Sequence, residues 1–176
     1  MRVLEYGDTS ADKAEVMEEV SSLIPGRDVK DGVNAAVLKG DVIYLKIKSL
    51  HLMPNYRFLS LVFDVFSRYK IPVSMVTTSE VCISVAIDDE GHLEDIMNEL
   101  QDYAVSEVSR DMVIISVPVC SDAQNTCLET WVVDALKEIP VRMISYGGSS
   151  NGISLVVRTC DRDKVLESLN RNLYLI

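Results

Sequence analysis

Ile71-Pro72-Val73-Ser74-Met75 returns further along the chain as Ile139-Pro140-Val141-Arg142-Met143. The flanking segments return with it. Asp41-Val42-Ile43-Tyr44-Leu45 is answered by Asp111-Met112-Val113-Ile114-Ile115, and Ile83-Ser84-Val85-Ala86-Ile87 by Ile153-Ser154-Leu155-Val156-Val157. These offsets are 68 to 70 residues, and they are even. Strand side chains alternate faces, so an even shift returns each apolar residue to the same side of a sheet. A chain that repeats itself with its facing preserved is restricted to two copies of one small fold.

The 176 residues have room for two small domains, each with a core of its own. With 48% hydrophobic and 25% charged residues the composition is that of a globule, not of a disordered tail. A net charge of -10 argues against nucleic acid, because neutralising phosphates takes clustered Lys and Arg. No apolar run approaches the length of a membrane span and no basic-then-apolar signal opens the chain, which points to the cytoplasm and away from membranes. Cys82, Cys120, Cys127 and Cys160 have no C-x-x-C spacing and are expected to be buried, reduced thiols.

Each copy is expected to run strand, helix, strand, strand, helix. In the first, Ile43, Leu45 and Ile47 alternate along a half-buried strand over 42–48, and Phe58, Val62, Phe66 and Tyr69 have helical spacing over 58–69. Pro72 ends that helix, strands follow over 73–77 and 81–87, and Leu93, Ile96, Met97 and Leu100 mark a second helix. The second copy repeats this with strands over 112–119, 141–145 and 153–158. Leu128, Trp131, Val132 and Ala135 line its first helix, and Val165, Leu166 and Leu169 its last. A sixth strand completes such a unit. Residues 104–109 supply it to the first copy, while the second runs out of chain and must borrow 33–38, so the first copy is inserted in the second. Residues 33–47 and 104–117 then both read as strand, short turn, strand. The fold class is α+β: two ferredoxin-like βαββαβ domains, antiparallel sheets with helices on one face.

The stretch from Phe58-Leu59-Ser60-Leu61-Val62-Phe63 to Met75-Val76-Thr77-Thr78-Ser79-Glu80-Val81 resembles the regulatory region of aspartate kinases, as does Val141-Arg142-Met143-Ile144-Ser145-Tyr146-Gly147-Gly148-Ser149-Ser150-Asn151. The likeness covers residues 33–176 and is to the lysine-sensitive type, in which tandem ACT domains, one inserted in the other, sense an end-product amino acid. The first ACT domain would be 41–110 and the second 33–40 with 111–176. The opening, Met1-Arg2-Val3-Leu4-Glu5-Tyr6-Gly7-Asp8-Thr9-Ser10, is similar to the start of the kinase domain, K-F-G-G-T-S, followed by a helix with Val16, Met17, Val20 and Leu23 on one face. By that resemblance residues 1–32 are a strand-plus-helix remnant and linker, with Glu5, Gly7, Asp8, Thr9 and Ser10 a degenerate nucleotide site. Glu5 replaces a phosphate-cradling lysine, and Asp8 adds charge where bare backbone should meet phosphate. Most of the kinase domain is missing, so the chain is expected to be a pseudoenzyme with no catalytic residues, cofactor or metal of its own.

The resemblance implies an effector pocket at Leu52, Asn55, Arg57, Phe58, Leu59, Val73, Ser74, Ser79, Glu80 and Val81. The physics of an α-amino acid suits it. A helix start after 52–57 offers backbone N–H groups to a carboxylate, and Ser79-Glu80 offers acceptors to an ammonium. Phe58, Leu59, Val73 and Val81 also suit a plain core, and Glu80 a solvated turn. Two departures from the lysine-sensing pattern stand out: Ser74 where an aspartate is expected and Arg57 where a glycine is usual. One lost charge-assisted hydrogen bond costs about 1.5–3 kcal/mol, about ten- to a hundredfold in affinity. Arg57 could instead grip a ligand carboxylate.

The expected partners are therefore lysine, with threonine the alternative, a second copy through the ACT domains, and a full-length aspartate kinase. The competing readings are a ligand-silent assembly module and a fragment of an active aspartate kinase. His51 and His92 lack partners at metal spacing, Gly147-Gly148-Ser149-Ser150 lies between strands as a turn, and Asp88-Asp89-Glu90 reads as a solvated loop.

Overall fold

The computed structural model describes residues 2–5, 35–50, 54–117, 128–147 and 152–173. In chain order these form β1 (Arg2–Glu5), β2 (Ala35–Ser49), α1 (Asn55–Tyr69), β3 (Val73–Thr78), β4 (Cys82–Ile87), α2 (Leu93–Leu100) and β5 (Ala104–Val117). Then come α3 (Leu128–Ala135), β6 (Met143–Tyr146), β7 (Ile153–Arg158), a 3-10 turn (Thr159–Asp161) and α4 (Arg162–Leu173). The class is α+β, as expected. The chain divides into two compact units: unit 1 is Met1–Gly40 with Val113–Ile176, and unit 2 is Asp41–Met112.

Unit 2 has the strand order β3-β4-β2-β5. Its core joins Ile43, Leu45 and Ile47 of β2 and Ile83, Val85 and Ile87 of β4 to Phe58, Val62, Val65 and Phe66 of α1 and Leu93, Ile96 and Leu100 of α2. Fully burying each such side chain stabilises the fold by roughly 1.5–3 kcal/mol. The helices are joined by an Arg68–Glu99 ion pair, and the Tyr69 ring lies 5.3 Å from that of His92. Desolvation, and then the charge of Glu99 and its hydrogen bond, raise the Tyr69 phenol above its usual 10.0.

Unit 1 has the order β6-β7-β5-β2, with β1 parallel to β2 along its outer edge. Its core is assembled from Leu38, Val113, Ile115, Val117, Ile153, Leu155, Val157, Val132, Val165 and Leu169. The pairing repeats as well as the sequence. Lys46 stands opposite Ser84 in unit 2, and the Oγ atoms of Ser116 and Ser154, the same places in unit 1, are 2.9 Å apart. Met75 faces Ala86, and Met143 faces Val156.

Three expectations need correction. Residues 35–49 and 104–117 are each one continuous strand, not strand, turn, strand. What sequence suggests as a turn is one residue with positive φ, Asp41 at 52° and Asp111 at 58°, a kink that aspartate tolerates in its left-handed conformation. Burial is not confined to the helix-facing side: Val42 and Tyr44 are buried as well as Ile43 and Leu45, with Ala86 and Met75 in the same row and Ile114, Val156 and Met143 in the matching row of unit 1. Cys160 is exposed, because it lies in the 3-10 turn after β7, and Cys82 is half-buried. Cys120, Cys127, His51 and the helix expected around Val16 lie outside the described residues. Among the described residues no helix is long and apolar enough to cross a membrane.

Candidate functional site

One end of unit 2 gathers the groups that could hold a zwitterion. At the end of β2 the Ser49 N–H donates to Val81 O (2.9 Å) and the Leu50 N–H to Tyr103 O (2.9 Å). The tip of the β3–β4 hairpin therefore lies beside the chain as it leaves for α1. That helix opens on Pro54, whose carbonyl accepts from Arg57 N (2.9 Å) and Phe58 N (3.2 Å). Pro54 has no side-chain cap to offer and the first turn has no acidic residue, so the positive end of the helix dipole keeps no local carboxylate. The hairpin itself is closed by Ser79 N–H donating to Cys82 O (2.7 Å), with Ser79 Oγ 3.3 Å from the same carbonyl. Glu80 is exposed at the tip, and Val81 beside it is 43% exposed. N–H donors on one side and a carboxylate with a hydroxyl on the other are complementary to a carboxylate and an ammonium.

The ten implied positions divide into four groups. Asn55, Phe58 and Leu59 start α1 at this end, Asn55 exposed, Phe58 in the core and Leu59 packed against it. Ser79, Glu80 and Val81 join them from the hairpin tip. Val73 and Ser74 start β3 at its other end; at about 3.3 Å per residue they lie roughly 17 Å from the tip, too far for one small ligand to touch both within one chain. Arg57 lines a depression along α1 with Ser60, Leu61, Asp64, Ser67, Arg68 and Tyr103, and with none of the other described pocket positions. Leu52 lies outside the described residues. Of the degenerate nucleotide-site positions, Glu5 ends β1, while Gly7, Asp8, Thr9 and Ser10 are also outside them.

Sequence reasoning missed the Tyr103 flank. A tyrosine following a helix carries no periodic signal, and only its proximity to α1 singles it out. Among the described residues no three His, Cys, Asp or Glu side chains gather as metal ligands.

No family model matches the chain. Over 149 residues it is 27% identical to the lysine-sensitive aspartokinase 3 of Escherichia coli, an alignment covering 80% of this chain and 33% of that protein. The chain spans about a third or less of the length of the curated relatives it matches. Among solved structures it is similar to a chain from Porphyromonas gingivalis W83, assigned as a C-terminal regulatory domain of aspartate kinase. Identity there is 37% and the TM-score 0.71, with 80% of this chain and 96% of that one covered. It is also similar to E. coli aspartokinase III in complex with lysine and aspartate, at 26% identity and a TM-score of 0.68, over 84% of this chain and 35% of that one.

Proposed function

The chain belongs to the aspartate kinase family as a regulatory region of it, and on that premise we propose that it binds a free amino acid at the α1 and β3–β4 end of unit 2 and transmits occupancy to a catalytic partner. Residues 41–110 act as one ACT domain, and 33–40 with 111–176 as the other. The observation that carries this reading is the juxtaposition of an uncapped helix start with Ser79 and Glu80, joined through the Ser49–Val81 hydrogen bond. Asn55 and the first-turn N–H groups take the ligand carboxylate, Ser79 and Glu80 its ammonium, and Phe58, Leu59 and Val81 its stem. Val73 and Ser74, at the far end of β3, contribute to the site of a second copy, so the pocket is completed at a homodimer interface. Lysine is the first candidate, supported by the lysine-bound E. coli structure, and threonine the second. The partner is a full-length aspartate kinase. Ligand favours one dimer arrangement by its differential affinity, which also limits the size of the response.

The test is a thermal-shift panel of free amino acids. At a hundredfold excess over Kd a ligand adds about 2.7 kcal/mol, a rise of roughly 5–10 °C for a chain of this size. Lysine or threonine should produce it, and Glu80→Ala should abolish it while leaving the melting of the free protein in place. Silence across the whole panel would make the chain an assembly module without a ligand.

A further inference from the structure

In unit 1 the outer edge of β2 is occupied: Arg2, Val3, Leu4 and Glu5 run parallel to it, opposite Ala35, Ala36, Val37 and Leu38. The same places in the repeat within unit 2 are Val105, Ser106, Glu107 and Val108 of β5. Three observations fix this equivalence. Positive φ recurs at Asp41 and Asp111. The sequence of two exposed and then four buried residues over 40–45 recurs over 110–115. Leu38 lies in the core of unit 1, and Val108 packs against the core of unit 2.

The inner side of this β5 segment neighbours β2. Its outer side has no strand among the described residues. The neighbour there, β7, has Ser154 against Ser116, and in antiparallel register its last residue, Arg158, reaches no further back than Met112. Among the described residues, then, nothing pairs with the outer side of residues 104–111, where Val105 is 52% exposed. Such an edge displays unpaired N–H and C=O groups and is a template for an added strand.

We propose that this edge accepts, in parallel, the N-terminal strand of a second copy of the chain. The matching edge of the same fold already takes that strand, and the charges favour the exchange. In the same register Arg2 falls two positions from Glu107 and Glu5 two positions from Arg110, on the same face in each case and opposite in sign. On the chain's own edge those positions are Val37 and Gly40, which carry no charge. Diagonal neighbours of this kind are within reach of long side chains. Arg110 also pairs with Glu90. Each chain has one donor strand and two acceptor edges. Exchange conserves the number of backbone pairs, so the charge pairs and the protein concentration decide it.

The test is disulfide trapping in the full chain with Cys82, Cys120, Cys127 and Cys160 replaced by serine. Val3→Cys with Ser106→Cys should give a covalent dimer whose yield rises several-fold with concentration and falls several-fold in Glu107→Arg. Val3→Cys with Ala36→Cys should close a bond within one chain. A Val3→Cys/Ser106→Cys chain that stays monomeric at every concentration, while the second pair forms its internal bond, overturns the proposal. An independent measurement needs no substitution: amide exchange over 105–108 in the unaltered protein should slow as concentration rises, and exchange indifferent to concentration also overturns it.

Discussion

Asp41 and Asp111 sit at φ 52° and 58° inside two long strands, where composition alone would favour a β-branched residue. The left-handed conformation brings Cβ against the following carbonyl and costs about 1–2 kcal/mol in an ordinary residue, while aspartate tolerates it through local hydrogen bonding. Asp111→Val should therefore lower the unfolding free energy in urea by about 1–2 kcal/mol despite the higher strand propensity of valine, and Asp111→Asn should be nearly neutral. Equal stability of the two variants would show that the kink relaxes. Lys70 poses the reverse case: it ends α1 at φ 55°, with its N–H donating to Ser67 O (3.1 Å) and the Ile71 N–H donating to Phe66 O (3.2 Å). Only glycine takes that conformation freely, so Lys70→Gly should stabilise by on the order of 1 kcal/mol in the same assay. Neither conformation is legible in sequence, because positive φ follows from where the chain must bend and not from residue type.

The elements themselves were largely legible, and the misses have physical causes. The spacing of Phe58, Val62 and Phe66 announces α1, but the helix starts at Asn55 because Asn55, Tyr56 and Arg57 are exposed and add nothing to an apolar stripe. Sequence reasoning treats Arg57 as a pocket residue, yet its place on the helix cylinder turns it toward Tyr103. Position within a motif does not reveal which flank a side chain occupies. The change of offset from 68 to 70 residues has a structural source in the hairpins. Ser79 N–H closes on Cys82 O in one, and in the other Gly147 N–H, with φ 82°, closes on Gly152 O, two residues more. Since α1 is held by its buried face, Phe58→Ala should cost about 3–5 kcal/mol in chemical denaturation. Tyr56→Ala, one position earlier and 73% exposed, should change stability by less than about 0.5 kcal/mol. Comparable losses would mean that the start of the helix is anchored through its exposed face.

For the whole molecule, the even-offset repeat carried the fold class, because it encodes both strand order and facing. It could not reveal that Val42, Tyr44, Met75 and Ala86 are buried opposite the helices, since alternation marks one apolar face and a second appears only as a denser apolar run. Nor does the pattern say which copy binds a ligand, because both units repeat the same strands and helices. The distinction lies in the connections. Unit 2 presents Ser79 and Glu80 at its hairpin tip, whereas the unit 1 hairpin closes between Gly147 and Gly152 on a sequence with no carboxylate. A ligand that binds only the native form slows the openings of the region it holds together, and each unit has a core of its own through which to respond. With saturating effector, amide exchange at Leu45, Ile47, Val85 and Ile87 in unit 2 should slow by more than at Ile115, Val117, Leu155 and Val157, their counterparts in unit 1. The Glu80→Ala protein should show no slowing in either set. Greater protection in unit 1 would move the binding site to the other copy of the fold. Equal protection in both would mean that the ligand acts on a single cooperative body, and that the local difference between the hairpins is not what selects its site.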